Sequence, residues 1–258
     1  MTATRRCAVI AHRGGAAEVP ENTWSAVQHV ADLGLEWMET DLRRSADGVV
    51  ILSHDPDLGR TAGCARAIKD MTWDELKVVD AGDGNPPVRL DDALYAVPRL
   101  RLNIDLKEAP AAQDTLQVVR AAQALERVRF ASFSARRLAM VRRQEPRAVT
   151  SLGVADVAGL LVLAEAALPL PHSRWGWTRG QVDAVQVPTA YGRVPVLTRR
   201  MIAQAHRAGL EVHVWTVDDP EQMRRLAALN VDGIVTDVPS LALEVLGAAP
   251  SRARMVAH

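Results

Sequence analysis

Short apolar runs alternate with amphipathic segments along almost the whole chain. In the amphipathic segments apolar residues recur every three or four positions, which predicts helices. The apolar runs have the lengths of strands, and this alternation is typical of βα units around a parallel sheet. Eight runs fit the strands of one (β/α)8 TIM barrel, at residues 8–11, 35–41, 100–107, 128–133, 148–152, 182–187, 210–217 and 232–236. Helices are predicted between them, including residues 23–33, 111–125, 135–143, 198–208 and 220–229.

A ninth apolar run, residues 49–53, does not fit the count of barrel strands. It follows the second barrel strand through Asp47-Gly48, and Asp-Gly is a strong hairpin signal. Because so short a connection cannot return the chain to start a parallel strand, we expect this run to fold back antiparallel on the second strand. Its end, "SHD", would then lie over the barrel mouth, followed by a Gly- and Asp-rich segment with one helical pattern near residues 73–78.

The length of 258 residues suits a single barrel, which typically needs about 250 residues. We therefore predict one domain over residues 1–247, with a small insertion in the barrel mouth after the second strand, at about residues 43–98. The stretch "LPLPHSRWGWTRG" is expected to form a long loop, and residues 248–258 a disordered tail.

Charge and composition narrow the classes of partner. The chain has 31 basic and 31 acidic residues, so a nucleic-acid partner is not expected. Cys7 and Cys64 are far apart and predict free thiols rather than a disulfide or a zinc site. The apolar run before His12 is too short for a signal peptide, and Glu165 interrupts the longest apolar stretch. The sequence therefore predicts a cytoplasmic protein without stable membrane insertion, and it leaves the oligomeric state open.

Acidic side chains gather at the ends of two neighbouring predicted strands. Glu39 and Asp41 alternate onto one face of the second strand, and Asp105 and Lys107 share a face of the next. Buried carboxylates repel one another unless a cation compensates them, and oxygen-only ligands favour Mg²⁺ or Ca²⁺. The three acids are therefore candidate metal ligands. The alternative is that they face the helix layer and pair with arginines.

The motif "HRGG" directly follows the first strand, where an active-site loop of a barrel is expected. Arg13 offers a planar fork for phosphate or carboxylate, and the glycines permit a ligand to approach the backbone closely. His12 and His54 are placed at the mouth by register, and two histidines near a metal can divide proton transfer. The remaining histidines are expected in helices, a loop, the core or the tail: His29, His206, His172, His213 and His258.

Five longer stretches carry a resemblance to a known family. The first is "HRG…PENT…ETDLRRSADGVVILSHD", from residue 12 to residue 55. The others are "LGRTAGCARAIKDMTWDEL", "PPVRLDDAL", "ASFS" and "VHVWTVDDPEQMRRLAALNVDGIVTDVP". Together they resemble the glycerophosphodiester phosphodiesterase family over nearly the whole chain, and the first motif is long and specific.

The resemblance implies a role for each candidate residue. The implied roles are acid/base catalysis by His12 and His54, substrate binding by Arg13, Lys107 and Trp215, and metal binding by Glu39, Asp41 and Asp105. The family usually has glutamate at the position of Asp105. The shorter side chain would reach a metal through water, admit a different ion or bind it more weakly.

The resemblance also implies the reaction, which is cleavage of a small glycerophosphodiester to sn-glycerol 3-phosphate and an alcohol with Mg²⁺ or Ca²⁺ as cofactor. Which histidine is the base, and whether water or a substrate hydroxyl attacks, stay open. A lysophospholipid shares the glycerophosphate head group, and Trp175 and Trp177 in the long loop would form a lip for its acyl chain. The alternative is that the loop packs on the barrel and the two tryptophans cover apolar surface. Two further alternatives are a barrel that binds a phosphodiester without cleaving it and a structural barrel that binds no metal.

Overall fold

A computed structural model of the chain describes residues 7–170 and 181–247. Its strands are β1 Ala8–His12, β2 Trp37–Arg44, β3 Val50–Leu52, β4 Asp57–Leu58, β5 Cys64–Ala67, β6 Arg101–Leu106, β7 Val128–Ala131, β8 Val149–Ser151, β9 Val182–Val187, β10 Ala190–Tyr191, β11 Val194–Pro195, β12 Glu211–Val214 and β13 Gly233–Thr236. Its helices are α1 Trp24–Asp32, α2 Gly59–Ala62, α3 Trp73–Leu76, α4 Leu90–Ala96, α5 Ala109–Ala121, α6 Ala135–Gln144, α7 Val154–Glu165, α8 Arg199–Arg207, α9 Pro220–Ala228 and α10 Pro239–Leu246.

Eight parallel strands close into a barrel. Their order around the sheet is β1, β2, β6, β7, β8, β9, β12 and β13, and β1 pairs with both β2 and β13. At this seam Ile10 lies between Val235 on one side and Trp37 on the other. Helices between the strands cover the outside of the barrel. The predicted (β/α)8 TIM barrel is therefore confirmed.

The apolar packing lies between the sheet and the helices. Met38 and Leu42 of β2 and Phe130 of β7 belong to one buried cluster that also contains side chains of α1, α5 and α6. A second cluster joins β9 and β12 to α8, α9 and α10. Alternate strand residues face the barrel interior, where Gln186 donates to Asn103 across the barrel at 2.9 Å. The interior is therefore partly polar, in continuity with the mouth above it.

Side-chain caps fix where several barrel helices begin. Thr23, Ser134, Thr198 and Asp219 precede α1, α6, α8 and α9, and each side-chain oxygen accepts a hydrogen bond from a backbone N–H of the first turn. Serine, threonine and aspartate are favoured at this position because they satisfy N–H groups that have no partner within the helix. The caps therefore also set the lengths of the loops at the carboxyl ends of the preceding strands.

The segment after β2 folds back as a hairpin. β3 runs antiparallel to β2, with Leu52 beside Leu42 and Val50 beside Arg44, as predicted. The turn contains Gly48 at a φ of 93°, a conformation that glycine adopts readily. The following segment forms β4, β5, α2 and α3 around a small apolar cluster of its own. The hairpin therefore carries His54 to the mouth, and the insertion packs beside it.

Four of the described helices, α2, α4, α7 and α10, were not among those predicted from periodicity. The α7 segment has apolar residues on almost every side, so it shows no clear helical stripe. Cys7 and Cys64 are free thiols, as predicted. His29 and His206 lie in helices and His213 is buried, whereas His172, His258, Trp175, Trp177 and the tail fall outside the described residues.

Among the described helices none is both long enough and apolar enough to cross a bilayer.

Candidate active site

Three acids and a lysine meet at the carboxyl ends of β2 and β6. The two strands are in register, so that Asp41 lies directly beside Asp105. Lys107 Nζ lies 2.8 Å from Asp41 Oδ1 and 2.7 Å from Asp105 Oδ2. Glu39 lies on the same face of β2 as Asp41, and all three acids are buried. The acids therefore face the mouth of the barrel rather than the helix layer, and their nearest cations are protein side chains.

Arg13 supplies a second cation to this cluster. Its Nε lies 3.2 Å from Asp41 Oδ2, and its Nη1 donates to Glu21 Oε1 at 3.1 Å. The Arg13 backbone has a φ of 51°, which is uncommon for a residue with a side chain. Its N–H donates to Glu39 Oε2 at 3.3 Å, and its carbonyl accepts from the Asn22 N–H at 2.9 Å. These backbone contacts hold the turn in which the guanidinium reaches the acids.

Burial and like charge raise the pKa values of two acids. Burial, followed by the charge of Asp41, raises the pKa of Glu39 to about 8. Burial also raises the pKa of Asp105, although Lys107 opposes that shift. Burial lowers the pKa of Lys107, but Asp105 and Asp41 outweigh it and keep that pKa above its ordinary value. Both shifts of the acids favour their neutral forms, so a divalent cation that binds these oxygens would have to displace protons from them.

The donor chemistry of this cluster suits a divalent cation. Within residues 7–170 and 181–247, no three His, Cys, Asp or Glu side chains form a complete metal site, and Lys107 bridges Asp41 and Asp105. Yet two buried oxygens, Asp41 Oδ2 and Asp105 Oδ1, accept no hydrogen bond from this part of the chain. The Asp41 oxygen lies near Arg13 Nε, but the N–H is not directed at it. Because buried carboxylate oxygens are normally paired, these acids fit a hard cation once Lys107 no longer bridges two of them.

His12 lies in the same mouth, at the end of β1. Its Nδ1 lies 2.6 Å from Asp237 Oδ1, and its Nε2 lies 3.8 Å from Glu39 Oε2. Burial lowers the pKa of His12, but the hydrogen bond with Asp237 and the charge of Glu39 outweigh burial and raise it. A carboxylate on Nδ1 fixes the ring and leaves Nε2 available to exchange a proton. Asp237 follows β13, so barrel closure brings this pair together.

His54 reaches the mouth from the loop that follows β3. Its Nδ1 lies 2.8 Å from Asp55 Oδ1, and its side chain is 35% exposed. Asp55 Oδ2 accepts a hydrogen bond from Arg60 Nε at 2.7 Å. The His54 carbonyl accepts from Arg43 Nε at 3.2 Å and from Arg43 Nη2 at 2.8 Å. The loop is thus held both through its backbone and through the imidazole.

Two aromatic side chains border the charged cluster. Phe133 follows β7 and packs edge-on against Trp215, which follows β12, with 5.9 Å between the ring centres. Lys107 Nζ lies 6.0 Å from the centre of the Phe133 ring. Phe133 is 59% exposed. The pair therefore offers apolar surface to a ligand that occupies the mouth.

The glycines after Arg13 serve protein packing. A Cβ atom on Gly14 would lie 2.4 Å from Ala26 Cβ, and one on Gly15 would lie 2.9 Å from Pro239 Cγ. Both glycines also have positive φ. We expected these glycines to admit a ligand, but the space beside them belongs to α1 and α10.

The candidate residues join the site in two ways. Six of them contact one another directly: His12, Arg13, Glu39, Asp41, Asp105 and Lys107. The other two join through residues that the sequence reasoning did not single out, Trp215 through Phe133 and His54 through Asp55, Arg60 and Glu21. Asp237 was missed as well. One signal could have identified the missed residues, because all of them fall within the quoted motifs. All except Arg60 also lie just after a strand or in the first loop: Glu21, Asp55, Phe133 and Asp237.

Comparisons with known proteins identify the family and the fold. The model of the glycerophosphoryl diester phosphodiesterase family matches residues 12–241. A Mycobacterium tuberculosis protein named "Probable glycerophosphodiester phosphodiesterase 2" is 37% identical over 240 residues, which cover 92% of this chain and 89% of that protein. The crystal structure of a glycerophosphodiester phosphodiesterase from Agrobacterium tumefaciens has a TM-score of 0.74 at 26% identity, covering 92% of this chain and 99% of that one.

A third relative shares the fold at lower identity. It is a phosphodiesterase of Oleispira antarctica, solved in complex with the product sn-glycerol 3-phosphate. Its TM-score is 0.77 at 20% identity, and the match covers 94% of this chain and 98% of that one. The family match spans most of the chain, including the barrel mouth described above. The chain therefore belongs to the glycerophosphoryl diester phosphodiesterase family, an enzyme family that hydrolyses glycerophosphodiesters.

Proposed function

We propose that the protein hydrolyses small glycerophosphodiesters to sn-glycerol 3-phosphate and an alcohol, and that the reaction depends on a divalent cation. The observation that carries the proposal is the meeting of His12, Arg13 and Lys107 with three buried acids at the barrel mouth. Family membership supports the reaction class. The complex of the Oleispira antarctica protein makes sn-glycerol 3-phosphate the first product to look for.

His12 and His54 share the proton transfers in this proposal. Each has an aspartate oxygen near its Nδ1, which orients the ring and leaves Nε2 for proton exchange. One histidine takes the proton of the attacking oxygen as the new P–O bond forms. The other protonates the alcohol oxygen as the old P–O bond breaks. The attacking oxygen is that of water or of the glycerol hydroxyl, and in the second case water opens the cyclic phosphate afterwards.

Arg13 and Lys107 provide positive charge for the phosphate. The guanidinium of Arg13 can donate two parallel hydrogen bonds to phosphoryl oxygens, and the ammonium of Lys107 can stabilise the charge that develops there. Both cations now contact Asp41, so phosphate binding requires them to exchange part of that contact for the substrate. Glu39, Asp41 and Asp105 would hold Mg²⁺ or Ca²⁺, which would supply further charge neutralisation at the phosphate.

Phosphorus NMR with glycerophosphocholine tests the reaction directly. We expect a phosphomonoester signal with Mg²⁺ or Ca²⁺ and none in the presence of a chelator. Equal turnover with chelator would contradict the metal dependence. No product with either ion would favour a lysophospholipid substrate and, if that is not cleaved either, a barrel that binds the phosphodiester without cleaving it.

Histidine variants test the acid/base roles. His12→Ala and His54→Ala should each lower kcat by about 10²- to 10⁴-fold, because each removes one proton transfer. Metal affinity measured by calorimetry should change little, since the proposed ligands are carboxylates. His206→Ala is a matched control: its side chain is 35% exposed, like that of His54, and it pairs with Asp232 at 2.8 Å away from the mouth. Wild-type turnover in His12→Ala would refute its assignment.

A lysophospholipid is the second candidate substrate. The exposed ring of Phe133 beside Trp215 offers apolar surface for an acyl chain close to Lys107. Turnover of glycerophosphocholine and of lysophosphatidylcholine should therefore be compared in wild type and in Phe133→Ala. A loss confined to the lysolipid would support this candidate, and an equal loss on both substrates would count against it.

A further inference from the structure

A chain of charged side chains runs along one side of the mouth from His54 to Arg13. Asp55 Oδ1 lies 2.8 Å from His54 Nδ1, and Asp55 Oδ2 accepts from Arg60 Nε at 2.7 Å. Arg60 Nη1 and Nη2 donate to Glu21 Oε2 and Oε1 at 2.9 and 2.7 Å. Glu21 Oε1 also accepts from Arg13 Nη1 at 3.1 Å. Arg60 thus lies between two carboxylates: that of Asp55 contacts His54, and that of Glu21 contacts Arg13.

The guanidinium of Arg60 joins three segments that are separate along the chain. Arg60 lies in α2 of the insertion, Glu21 in the loop between β1 and α1, and Asp55 in the loop after β3. All three nitrogens of the planar group are used, two on one carboxylate and one on the other. Because the group is rigid, these bonds fix the direction of one carboxylate relative to the other. The Glu21 side chain is mostly buried, so this end of the chain of contacts is anchored.

We propose that Arg60 is a positioning residue, which sets the placement of His54 relative to Arg13 while touching neither of them. The inference rests on the proposed roles of His54 and Arg13. Its consequence is that the insertion contributes to catalysis by aligning groups at the mouth, and does more than cover it.

The competing explanation is that Arg60 merely attaches the insertion to the barrel. Exposed ion pairs contribute little to stability, and the Arg60 side chain is 52% exposed. Arg66 is a matched control in the same insertion, because its side chain is also 52% exposed. Arg66 pairs with Glu75 and with the Asp70 carbonyl, away from the residues of the mouth. The two arginines therefore differ mainly in their partners. Those of Arg60 contact His54 and Arg13, whereas those of Arg66 lie away from the mouth.

Kinetics of Arg60→Gln and Arg66→Gln on glycerophosphocholine separate the two explanations. We expect Arg60→Gln to lower kcat by about 10- to 100-fold, because small misplacements of reacting groups have effects of this size. Arg66→Gln should keep wild-type kcat, while the thermal midpoints of the two variants fall within about 3 °C of each other. Arg60→Lys should be intermediate, since one ammonium cannot reproduce the fork. Wild-type kcat in Arg60→Gln, or an equal loss in Arg66→Gln, would overturn the inference.

A second readout does not require turnover. The imidazole signals of His54 in NMR spectra, assigned with His54→Ala, should shift or broaden in Arg60→Gln and stay unchanged in Arg66→Gln. If wild type cleaves no glycerophosphodiester, the proposed function fails, and this comparison still decides the positioning role. Unchanged His54 signals in Arg60→Gln would refute that role even in an active enzyme.

Discussion

Each proposed acid/base histidine has an aspartate near its Nδ1, but the two pairs depend on very different parts of the chain. Asp55 directly follows His54, whereas Asp237 is 225 residues away from His12. The His12 side chain is also the more buried of the two, 19% exposed against 35%. Burial opposes the protonated form of His12, and the hydrogen bond with Asp237, together with the charges of Glu39 and Asp237, outweighs burial and raises the pKa. His12 is therefore the histidine that depends more on its partner.

Asp237→Asn tests this dependence. The asparagine keeps the size of the side chain but removes the charge that orients and stabilises the imidazolium, so we expect kcat to fall by about 10- to 100-fold with little change in KM. Asp232→Asn is the control, because it removes a carboxylate from His206, which lies outside the mouth. Steady-state kinetics of both variants check the prediction. Equal kcat values for Asp237→Asn and wild type would contradict it.

Residue positions at the mouth could be predicted wherever they follow strand alternation. Glu39 and Asp41 are two residues apart on one strand, so a period of two was enough to place both on one face. The sequence also indicated that a cation must compensate them. It could not show that this cation is Lys107, which bridges Asp41 and Asp105, because that contact depends on side-chain torsions. The contact of His12 with Asp237 has no local pattern, because it forms only when the last strand closes on the first.

At the scale of elements, the insertion is attached to the barrel through charged groups as well as through its small apolar cluster. Burial raises the pKa of Glu21, but Arg60 and Arg13 outweigh burial and lower it. The hydrogen bond with His54 lowers the pKa of Asp55, against burial and together with Arg60. A carboxylate whose pKa is lowered in the folded state stabilises the protein at pH values above its ordinary pKa. This stabilisation is lost as the pH falls through the lowered pKa.

The contribution of Arg60 to stability should therefore depend on pH. Urea unfolding of wild type and Arg60→Gln should show a difference in midpoint at neutral pH. The difference should shrink as the pH falls from the ordinary pKa values of Glu21 and Asp55 through their lowered values, because the protonated acids no longer attract the guanidinium. A difference that stays constant across this range would show that Arg60 acts through packing rather than through charge.

Elements could be predicted where their signals are local. The hairpin followed from Asp47-Gly48, because the turn alone dictates that the chain reverses. The strands β4 and β5 and the helix α2 are too short to carry a periodic pattern, and they form around the cluster beneath them. The α7 helix is long enough to carry a periodic pattern, but it was not predicted because an almost uniformly apolar segment has no apolar stripe to detect.

At the scale of the whole molecule, the two ends of the barrel have different roles, one in the proposed function and the other in stability. The mouth carries the proposed chemistry, whereas at the amino ends of the strands Arg129 is buried and bonds to Asp183 at 2.6 Å and to Glu211 at 2.9 Å. Its guanidinium also stacks on Trp37, 4.5 Å from the ring centre. This arginine ties β2, β7, β9 and β12 together across the barrel. Residues at this face of a barrel normally serve stability rather than catalysis.

Arg129→Met should lower the free energy of unfolding by roughly 2 to 4 kcal/mol, because it leaves Asp183 and Glu211 without this cation. The cost is below that of a fully buried pair, since both acids are about one-third exposed. Arg101→Met is the control: Arg101 stacks on the same ring at 4.5 Å but is 41% exposed, so about 1 kcal/mol or less is expected. Urea unfolding measures both values, and kcat should stay within about twofold of wild type. A large loss of kcat in folded Arg129→Met would contradict this division of the barrel.

The pairing of His12 with Asp237 has a consequence for how the enzyme is made. During translation His12 leaves the ribosome 225 residues ahead of Asp237, an interval of some tens of seconds at roughly 5–20 residues per second. Glu39, Asp41 and Asp105 are all made within the first half of that interval, whereas the aspartate that orients His12 comes only at its end. A chain cut before the last strand would thus contain every proposed metal ligand but lack both the strand that closes the barrel on β1 and the aspartate that orients His12.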